Sequence, residues 1–125
     1  MDHAAVQQWL DKYVEAWKTY DPQAIGDLFS RDALYSYSPY ADPLKGRDAI
    51  VADWLKNPDA PDRWQAQYRP LMIDGNRAVA NGRSIYFEAD GKTINREFDN
   101  IFLLRFDEDG RCQEFTEWYM EKRKK

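Results

Sequence analysis

The sequence predicts a single-domain α+β fold in which helices come first and an antiparallel meander of strands follows. Three observations predict it. The chain has 125 residues, which suits one domain spanning 1–125, because domains typically run to roughly 100 to 200 residues. The first third spaces its apolar residues as helices do. From Arg63 onward, turn signals containing glycine divide the chain into strands.

The first predicted helix carries an apolar stripe with spacings of three and four residues, which is typical of an amphipathic helix. The stripe consists of Val6, Trp9, Leu10, Tyr13, Val14 and Trp17. Asp21 and Pro22 end this helix and begin a second, with Asp21 as the N-cap and Pro22 at the first helical position. The second helix is short, and we expect it to carry Ile25, Leu28 and Phe29.

A short strand and a third helix are predicted next. The strand covers Ala33–Tyr37. The two prolines of Pro39–Gly46 predict a loop. The third helix covers Asp48–Leu55 and is predicted to bury Ile50, Val51 and Trp54.

Four strands of about ten residues or more follow, joined as hairpins at three turn signals. The turn signals are Asp74–Asn76, Asp90–Gly91 and Asp107–Gly110. Pro70 lies inside the first of these strands. Because proline cannot donate a ladder hydrogen bond, that strand is predicted to lie at an edge or to be bulged there.

Hairpin geometry predicts which side chains share a face of the sheet. A two-residue turn at Asp90–Gly91 places Arg83 opposite Phe98, and a four-residue final turn places Asn100 opposite Glu117. One predicted face therefore holds Tyr68, Arg83, Phe98, Asn100, Phe102, Phe115, Glu117 and Tyr119, and the other holds Ser84, Tyr86, Asp99, Ile101, Leu103, Thr116, Trp118 and Met120. A bulge at Pro70 or near Asn95 would exchange the faces beyond it.

Composition restricts the function. Aromatic residues make up 15% of the chain, a surplus that favours a cavity wall or a subunit interface. The net charge of -4 argues against non-specific nucleic-acid binding, which needs a basic surface. The basic tail at 121–125 is predicted to be a solubilising end.

Cysteine and histidine are almost absent. With Cys112 and His3 as the sole residues of their types, the sequence excludes an internal disulfide and predicts no metal site built from cysteine and histidine ligands. We expect a reducing, cytoplasmic setting. Neither a signal peptide nor an apolar run of the roughly 20 residues that span a membrane is present in the sequence, so no membrane partner is predicted.

Several segments together resemble one superfamily. They are Tyr13–Trp17 ahead of Asp21, Ile25–Ala33, Gly46–Ile50 and the turn from Phe106 to Cys112 before a final aromatic strand. They resemble the nuclear transport factor 2-like superfamily, which includes SnoaL-like and ketosteroid isomerase-like proteins. The resemblance implies a cone-shaped fold of three N-terminal helices on a strongly curved antiparallel sheet. It also implies a deep pocket for a small hydrophobic molecule, and a homodimer formed through the outer sheet face.

The known enzymes of this superfamily do not transfer residue by residue. Tyr13 matches the oxyanion-hole tyrosine of ketosteroid isomerases, but Tyr37 and Phe102 occupy the positions that correspond to its two acids. The arginine motif of limonene epoxide hydrolases is broken, because no aspartate stands two residues after Arg83. Scytalone dehydratases need pocket histidines, and this chain has only His3.

The polar residues left on the predicted pocket face are Arg83, Asn100 and Glu117. We expect Glu117 to act as an acid or base and Arg83 to bind an anionic group of the substrate. Either Tyr13 or Tyr68 is expected to donate a hydrogen bond. The predicted substrate-binding residues are Trp17, Tyr35, Tyr37, Trp54, Tyr68, Phe98, Asn100, Phe102 and Tyr119. An equally weighted interpretation is a purely structural ion pair between Arg83 and Glu117.

Two functions remain open. The first is a cofactor-free isomerase, lyase or hydrolase that acts by acid/base chemistry on a hydrophobic, ring-containing compound. The second is a non-catalytic ligand-binding or protein-interaction domain. An open cavity that contains Arg83 and Glu117 would favour chemistry, whereas a closed core filled by Tyr35, Trp54 and Phe102 would favour the interaction domain.

Overall fold

The computed structural model describes residues 1–123. Lys124 and Lys125, the end of the predicted basic tail, lie outside the described residues. The helices are α1 (His3–Thr19), α2 (Pro22–Asp27) and α3 (Arg47–Trp54), and the strands are β1 (Phe29–Ser36), β2 (Leu44–Lys45), β3 (Trp64–Asp74), β4 (Arg77–Phe87), β5 (Ile94–Phe106) and β6 (Cys112–Glu121). The predicted α+β class is confirmed. No helix in this part of the chain is long and apolar enough to cross a membrane.

Side-chain caps mark the N-terminal ends of α1 and α2. Asp2 caps α1 by accepting a hydrogen bond from the backbone N–H of Ala5 at 2.8 Å. The predicted cap of α2 is confirmed: Asp21 accepts from the N–H of Gln23, and Pro22 is the first helical residue. Phe29, predicted to belong to this helix, instead begins β1. Strand β2 lies within the segment predicted to be a loop.

The strands form a six-stranded sheet within residues 1–123, in the order β2-β1-β6-β5-β4-β3. The hairpins from β3 to β6 are antiparallel, as predicted. However, β1 runs parallel to β6, with Tyr35 beside Phe115, so the prediction of a wholly antiparallel sheet is wrong. No hairpin turn links these two strands, and turn geometry therefore does not fix their relative direction.

Two inserted residues bend β3 and β5. Pro70 pairs with Ala80 but Met72 pairs with Val79, so one residue is bulged between Pro70 and Met72 on this edge strand. This confirms the prediction for Pro70. On β5, Arg96 pairs with Tyr86 and Ile94 pairs with Phe87, so Asn95 between them is an inserted residue. Such bulges increase the local twist and bend a sheet around whatever it encloses.

Because of the insertion at Asn95, the side chains of β4 lie on the sheet faces opposite to those predicted. Arg83 pairs with Asp99 instead of Phe98, so the prediction that Arg83 lies on the inner face is wrong. Ser84 now pairs with Phe98 on that inner face, and Tyr86 moves inward with it. Tyr68 remains inside, opposite Gly82, because the bulge on β3 offsets the one on β5.

The β5–β6 pairing differs from the predicted register by two residues. Asn100 pairs with Tyr119 and Phe102 pairs with Glu117. An irregularity beside Phe106 and a longer turn together account for the difference. Since side chains alternate with a period of two, a two-residue shift leaves every side chain of β6 on its predicted face.

An aromatic core joins α1 to the sheet. The Tyr35 and Phe115 rings stack with centroids 4.4 Å apart, across the parallel β1–β6 pair. The Trp9 indole donates a hydrogen bond to the carbonyl of Leu28 at 2.9 Å, which anchors α1 to the end of α2. Part of the aromatic surplus in the composition is therefore core packing.

Gly82 is a position where the sheet has no room for a side chain. A Cβ atom there would overlap the carbonyl oxygen of Gln67 and the ring of Tyr68 on β3. We predict that Gly82→Ala lowers the free energy of unfolding by at least about 2 kcal/mol, because overpacking must displace backbone or a buried ring. Urea unfolding measures this change.

Gly26→Ala is the matched control. Gly26 lies in α2, and a Cβ there would meet the side chain of Arg47, on α3, at 3.6 Å, which is an ordinary van der Waals contact. Replacing a helical glycine by alanine stabilises a protein by roughly 0.5–1 kcal/mol. Equal unfolding midpoints for Gly82→Ala and the unmodified protein would contradict the steric argument.

Candidate functional site

A cavity of about 490 Å³ opens between the helices and the inner sheet face. Ten aromatic side chains line it: Tyr13, Trp17, Tyr20, Tyr35, Tyr37, Trp54, Tyr68, Tyr86, Phe98 and Tyr119. The polar lining residues are Asp53, Lys56, Asn57, Asp59, Ser84, Arg96, Asn100 and Glu117. The volume is in the usual range of small-molecule sites.

Most of the residues predicted for the site lie at this cavity. They are Tyr13, Trp17, Tyr35, Tyr37, Trp54, Tyr68, Phe98, Asn100, Glu117 and Tyr119. Phe102 does not line it. Its ring is only 1% exposed and packs beneath the wall, 4.6 Å from the Tyr68 ring and 4.7 Å from the Phe115 ring. Phe102 therefore supports the site without facing a ligand.

Arg83 lies outside the cavity, on the outer sheet face. Its guanidinium is 3.8 Å from the Glu97 carboxylate and 3.5 Å from that of Asp99. The predicted ion pair between Arg83 and Glu117 is therefore absent, and the predicted role of Arg83 as an anion clamp is wrong. The cause is the bulge at Asn95, which reverses the direction in which the Arg83 side chain points.

Glu117 is the carboxyl group at the centre of the lining. Burial raises its pKa to about 7, and the hydrogen bond from Asn100 partly opposes this rise. Within residues 1–123, no lysine or arginine forms an ion pair with it. Desolvation disfavours the charged form of a carboxyl group, so Glu117 exchanges its proton near neutral pH.

Two hydrogen bonds fix the orientation of Glu117. The Ser84 hydroxyl donates to Oδ1 of Asn100 at 3.0 Å, and Nδ2 of Asn100 donates to Oε2 of Glu117 at 2.6 Å. Because Oδ1 is already occupied by a donor, the amide must present its N–H to the carboxyl. This arrangement holds Oε2 as an acceptor and leaves Oε1 to exchange a proton with a ligand.

Tyrosines from four elements surround this carboxyl. The pKa values of Tyr13, Tyr35, Tyr37, Tyr68 and Tyr86 are all raised, chiefly by burial, and the charge of Glu117 raises each further. These side chains therefore remain neutral phenols. The Tyr13 and Tyr35 hydroxyl oxygens lie 3.5 Å apart. Only one proton can lie between them, which leaves the other free to donate to a ligand.

A second polar group lies where Trp17 meets the loop before β3. The carboxylate of Asp59 accepts from the Trp17 indole at 3.0 Å and from the Tyr20 hydroxyl at 3.5 Å. The N–H of Asp59 donates back to the Tyr20 hydroxyl at 2.9 Å. Trp17 also stacks on Trp64 with centroids 3.6 Å apart. These contacts hold the loop against α1.

Eight lining residues were not predicted from the sequence. Ser84 and Tyr86 were missed because the bulge exchanges the faces of β4. The other six are Tyr20, Asp53, Lys56, Asn57, Asp59 and Arg96. Loop residues among them face the cavity through contacts between distant parts of the chain, such as the one between Asp59 and Tyr20. Sequence periodicity carries no signal for such contacts.

The α+β fold, with the match to a SnoaL-like family model, identifies this chain as a nuclear transport factor 2-like protein. Within this class, the chain belongs to the SnoaL-like domain family, whose model matches residues 10–115. The resemblance inferred from the sequence is thereby confirmed.

Two solved structures share the fold. One is a nuclear transport factor 2-like protein of unknown function from Burkholderia xenovorans LB400, with a TM-score of 0.72 at 16% identity over 98% of this chain and 88% of that one. The other is a candidate ketosteroid isomerase from Kribbella flavida DSM 17836, with a TM-score of 0.72 at 18% identity over 99% of this chain and 84% of that one. At these identities the likeness shows the fold alone.

The raised pKa of Glu117 predicts a pH-dependent stability. Its pKa is about 7 in the folded protein and has an ordinary value of 4.5, so the folded state binds this proton more tightly. Glu117 therefore contributes fully to the free energy of unfolding below pH 4.5, and this contribution is lost as the pH rises to 7. The difference between these two pKa values corresponds to about 3 kcal/mol of the free energy of unfolding.

Glu117→Gln removes this titration while keeping the shape of the side chain. We expect the variant to be more stable than the unmodified protein by up to about 3 kcal/mol at pH 8. Near pH 4 the two should be equally stable. Urea unfolding at both pH values measures the difference. If the variant and the unmodified protein differ in stability by the same amount at both pH values, Glu117 has its ordinary pKa in the folded protein and the prediction is wrong.

Proposed function

We propose that the cavity binds a small, hydrophobic, ring-containing molecule and that Glu117 transfers a proton to or from it. The observation that carries this proposal is a carboxyl group at the cavity wall whose pKa, raised by burial, is about 7. A group with a pKa near the working pH can serve as either acid or base. The proposed chemistry needs no cofactor.

Isomerisation or elimination fits this group better than hydrolysis does. One carboxylate can take a proton from one atom of a ligand and return it to another. The free phenolic proton of the Tyr13–Tyr35 pair can meanwhile donate to an oxygen on which negative charge develops. We therefore favour the isomerase and lyase forms of the predicted activity, with the acid/base residue supplied by β6.

A neutral, activated probe tests proton transfer without knowledge of the natural substrate. When a base removes the ring C–H proton of 5-nitrobenzisoxazole, the N–O bond breaks and a coloured cyanophenolate forms. We expect turnover that rises with pH around an apparent pKa near 7, because the ionised form of Glu117 is the base. Glu117→Gln should lower the rate by about a hundredfold.

Glu114→Gln is the matched control, since it makes the same change on the same strand at a residue that pairs with Arg105 and does not line the cavity. Its rate should equal that of the unmodified protein. If the probe binds but all three proteins turn it over no faster than free acetate does, proton transfer is contradicted. Such a result would favour the alternative, a non-catalytic ligand-binding domain.

We also propose that the outer sheet face forms a homodimer. Leu103, Trp118 and Met120 are 41%, 43% and 76% exposed on the adjacent strands β5 and β6. Contiguous exposed apolar residues of this size mark interfaces. Arg83 and Asp99 lie on the same face. A two-fold axis can therefore pair the arginine of one copy with the aspartate of the other.

Trp118→Glu should convert the dimer to a monomer, because it places a charge in the apolar centre of the proposed interface. Light scattering after size-exclusion chromatography measures the mass. Tyr40→Glu is the control, as Tyr40 is 99% exposed in the loop before β2, and it should remain dimeric. A monomeric unmodified protein at micromolar concentration would contradict the proposal.

The cytoplasmic location stays a prediction from the sequence. Cys112 is buried, and burial raises the pKa of its thiol. A buried thiol of this kind is unreactive, so it is compatible with a reducing compartment.

A further inference from the structure

The cavity surrounds its buried carboxyl with neutral groups, and neither of its two cationic lining residues, Arg96 and Lys56, forms an ion pair with that carboxyl. Arg96 lines the cavity, but its guanidinium donates two hydrogen bonds to Glu121, at 3.0 and 2.8 Å. Lys56 is exposed. Arg83 lies on the outer sheet face. Among residues 1–123, no cationic side chain neutralises Glu117.

A buried carboxylate without a counter-ion is costly, and it favours any partner that brings a positive charge. The groups that face Glu117 from α1, from β1 and the residue after it, and from β3 and β4 cannot supply that charge. They are the neutral phenols of Tyr13, Tyr35, Tyr37, Tyr68 and Tyr86, and on β5 the neutral amide of Asn100. A cationic ligand would supply the counter-charge that these neighbours lack.

The rings of the cavity region already accept cations. The guanidinium of Arg96 lies over the Phe98 ring, 4.9 Å from its centroid. The ammonium of Lys18 lies 4.7 Å from the centroid of Trp64, the ring that stacks on Trp17. Aromatic faces attract cations most strongly where water is excluded. A cation inside the cavity would find the same kind of surface.

Two further carboxylates repel anions from the cavity. Asp53 accepts a hydrogen bond from the Tyr37 hydroxyl, and Asp59 accepts from Trp17 and Tyr20. Both line the cavity. These donors are neutral, and neither carboxylate forms an ion pair with a cation among residues 1–123. An organic anion would therefore meet carboxylates both at Glu117 and at the other polar groups of the lining.

We propose that the ligand of this cavity is an organic amine, in which a hydrophobic ring lies against the aromatic wall and the ammonium group pairs with Oε1 of Glu117. The inference rests on the proposed function, since it names the chemical class of the molecule that the same cavity would bind. It replaces the predicted anionic group, because Arg83, the residue predicted to bind that group, lies on the outer sheet face.

Three probes of nearly equal shape test the charge preference. They are 1-naphthylmethylamine, which is a cation at pH 8, the neutral 1-naphthylmethanol, and the anion 1-naphthoate. Isothermal titration calorimetry at pH 8 gives each dissociation constant. We expect the amine to bind about tenfold more tightly than the alcohol, because a hydrogen bond between charged groups is roughly twice as strong as a neutral one, and the naphthoate to bind most weakly.

Glu117→Gln should weaken binding of the amine by about tenfold and change binding of the alcohol by less than about twofold. Glu114→Gln should change neither. If amine and alcohol bind equally, if the amine is insensitive to Glu117→Gln, or if naphthoate binds most tightly, the amine proposal is overturned while ligand binding stands. If none of the three probes binds, the amine proposal and the proposed binding cavity both fail.

Discussion

One inserted residue, Asn95, determines which side chains of β4 enter the cavity. Side chains alternate along a strand with a period of two, so an extra residue in β5 turns Ser84 inward and Arg83 outward. With Arg83 inside, Glu117 would have a cation beside it, and such a neighbour lowers the pKa of a carboxyl group. The bulge therefore leaves the cavity with an unpaired carboxyl, and the chemistry proposed for Glu117 depends on that geometry.

The environment of Glu117 balances two opposing effects. Burial favours its neutral form, whereas the hydrogen bond from Asn100 favours the charged form. Ser84 and Asn100 are each only 3% exposed, so water does not compete with their hydrogen bond to one another. A carboxyl without the amide would be a weaker acid, and one beside an arginine would be a weaker base. The observed arrangement keeps both protonation states accessible near neutral pH.

The sequence was sufficient to predict what depends on local chemistry. The stripe of α1, the cap at Asp21 and the irregularity at Pro70 each follow from neighbouring residues. The inward positions of Asn100 and Glu117 were predicted correctly even though the register was not, because the error was two residues. Arg83 was misplaced because a bulge of one residue depends on how the whole sheet bends. The role of Asp59 was missed because contact with Tyr20 forms only when distant segments pack.

The cavity wall and the hydrophobic core are built from the same rings. Tyr35 stacks on Phe115 while its hydroxyl meets that of Tyr13, and Tyr68 lines the cavity while packing on Phe102. A wall made of core residues is held in place before a ligand arrives, which lowers the entropic cost of binding. It also restricts change, since altering these rings alters stability. Ligand preference can therefore vary most readily at exposed lining positions such as Lys56 and Tyr119, which the core does not need.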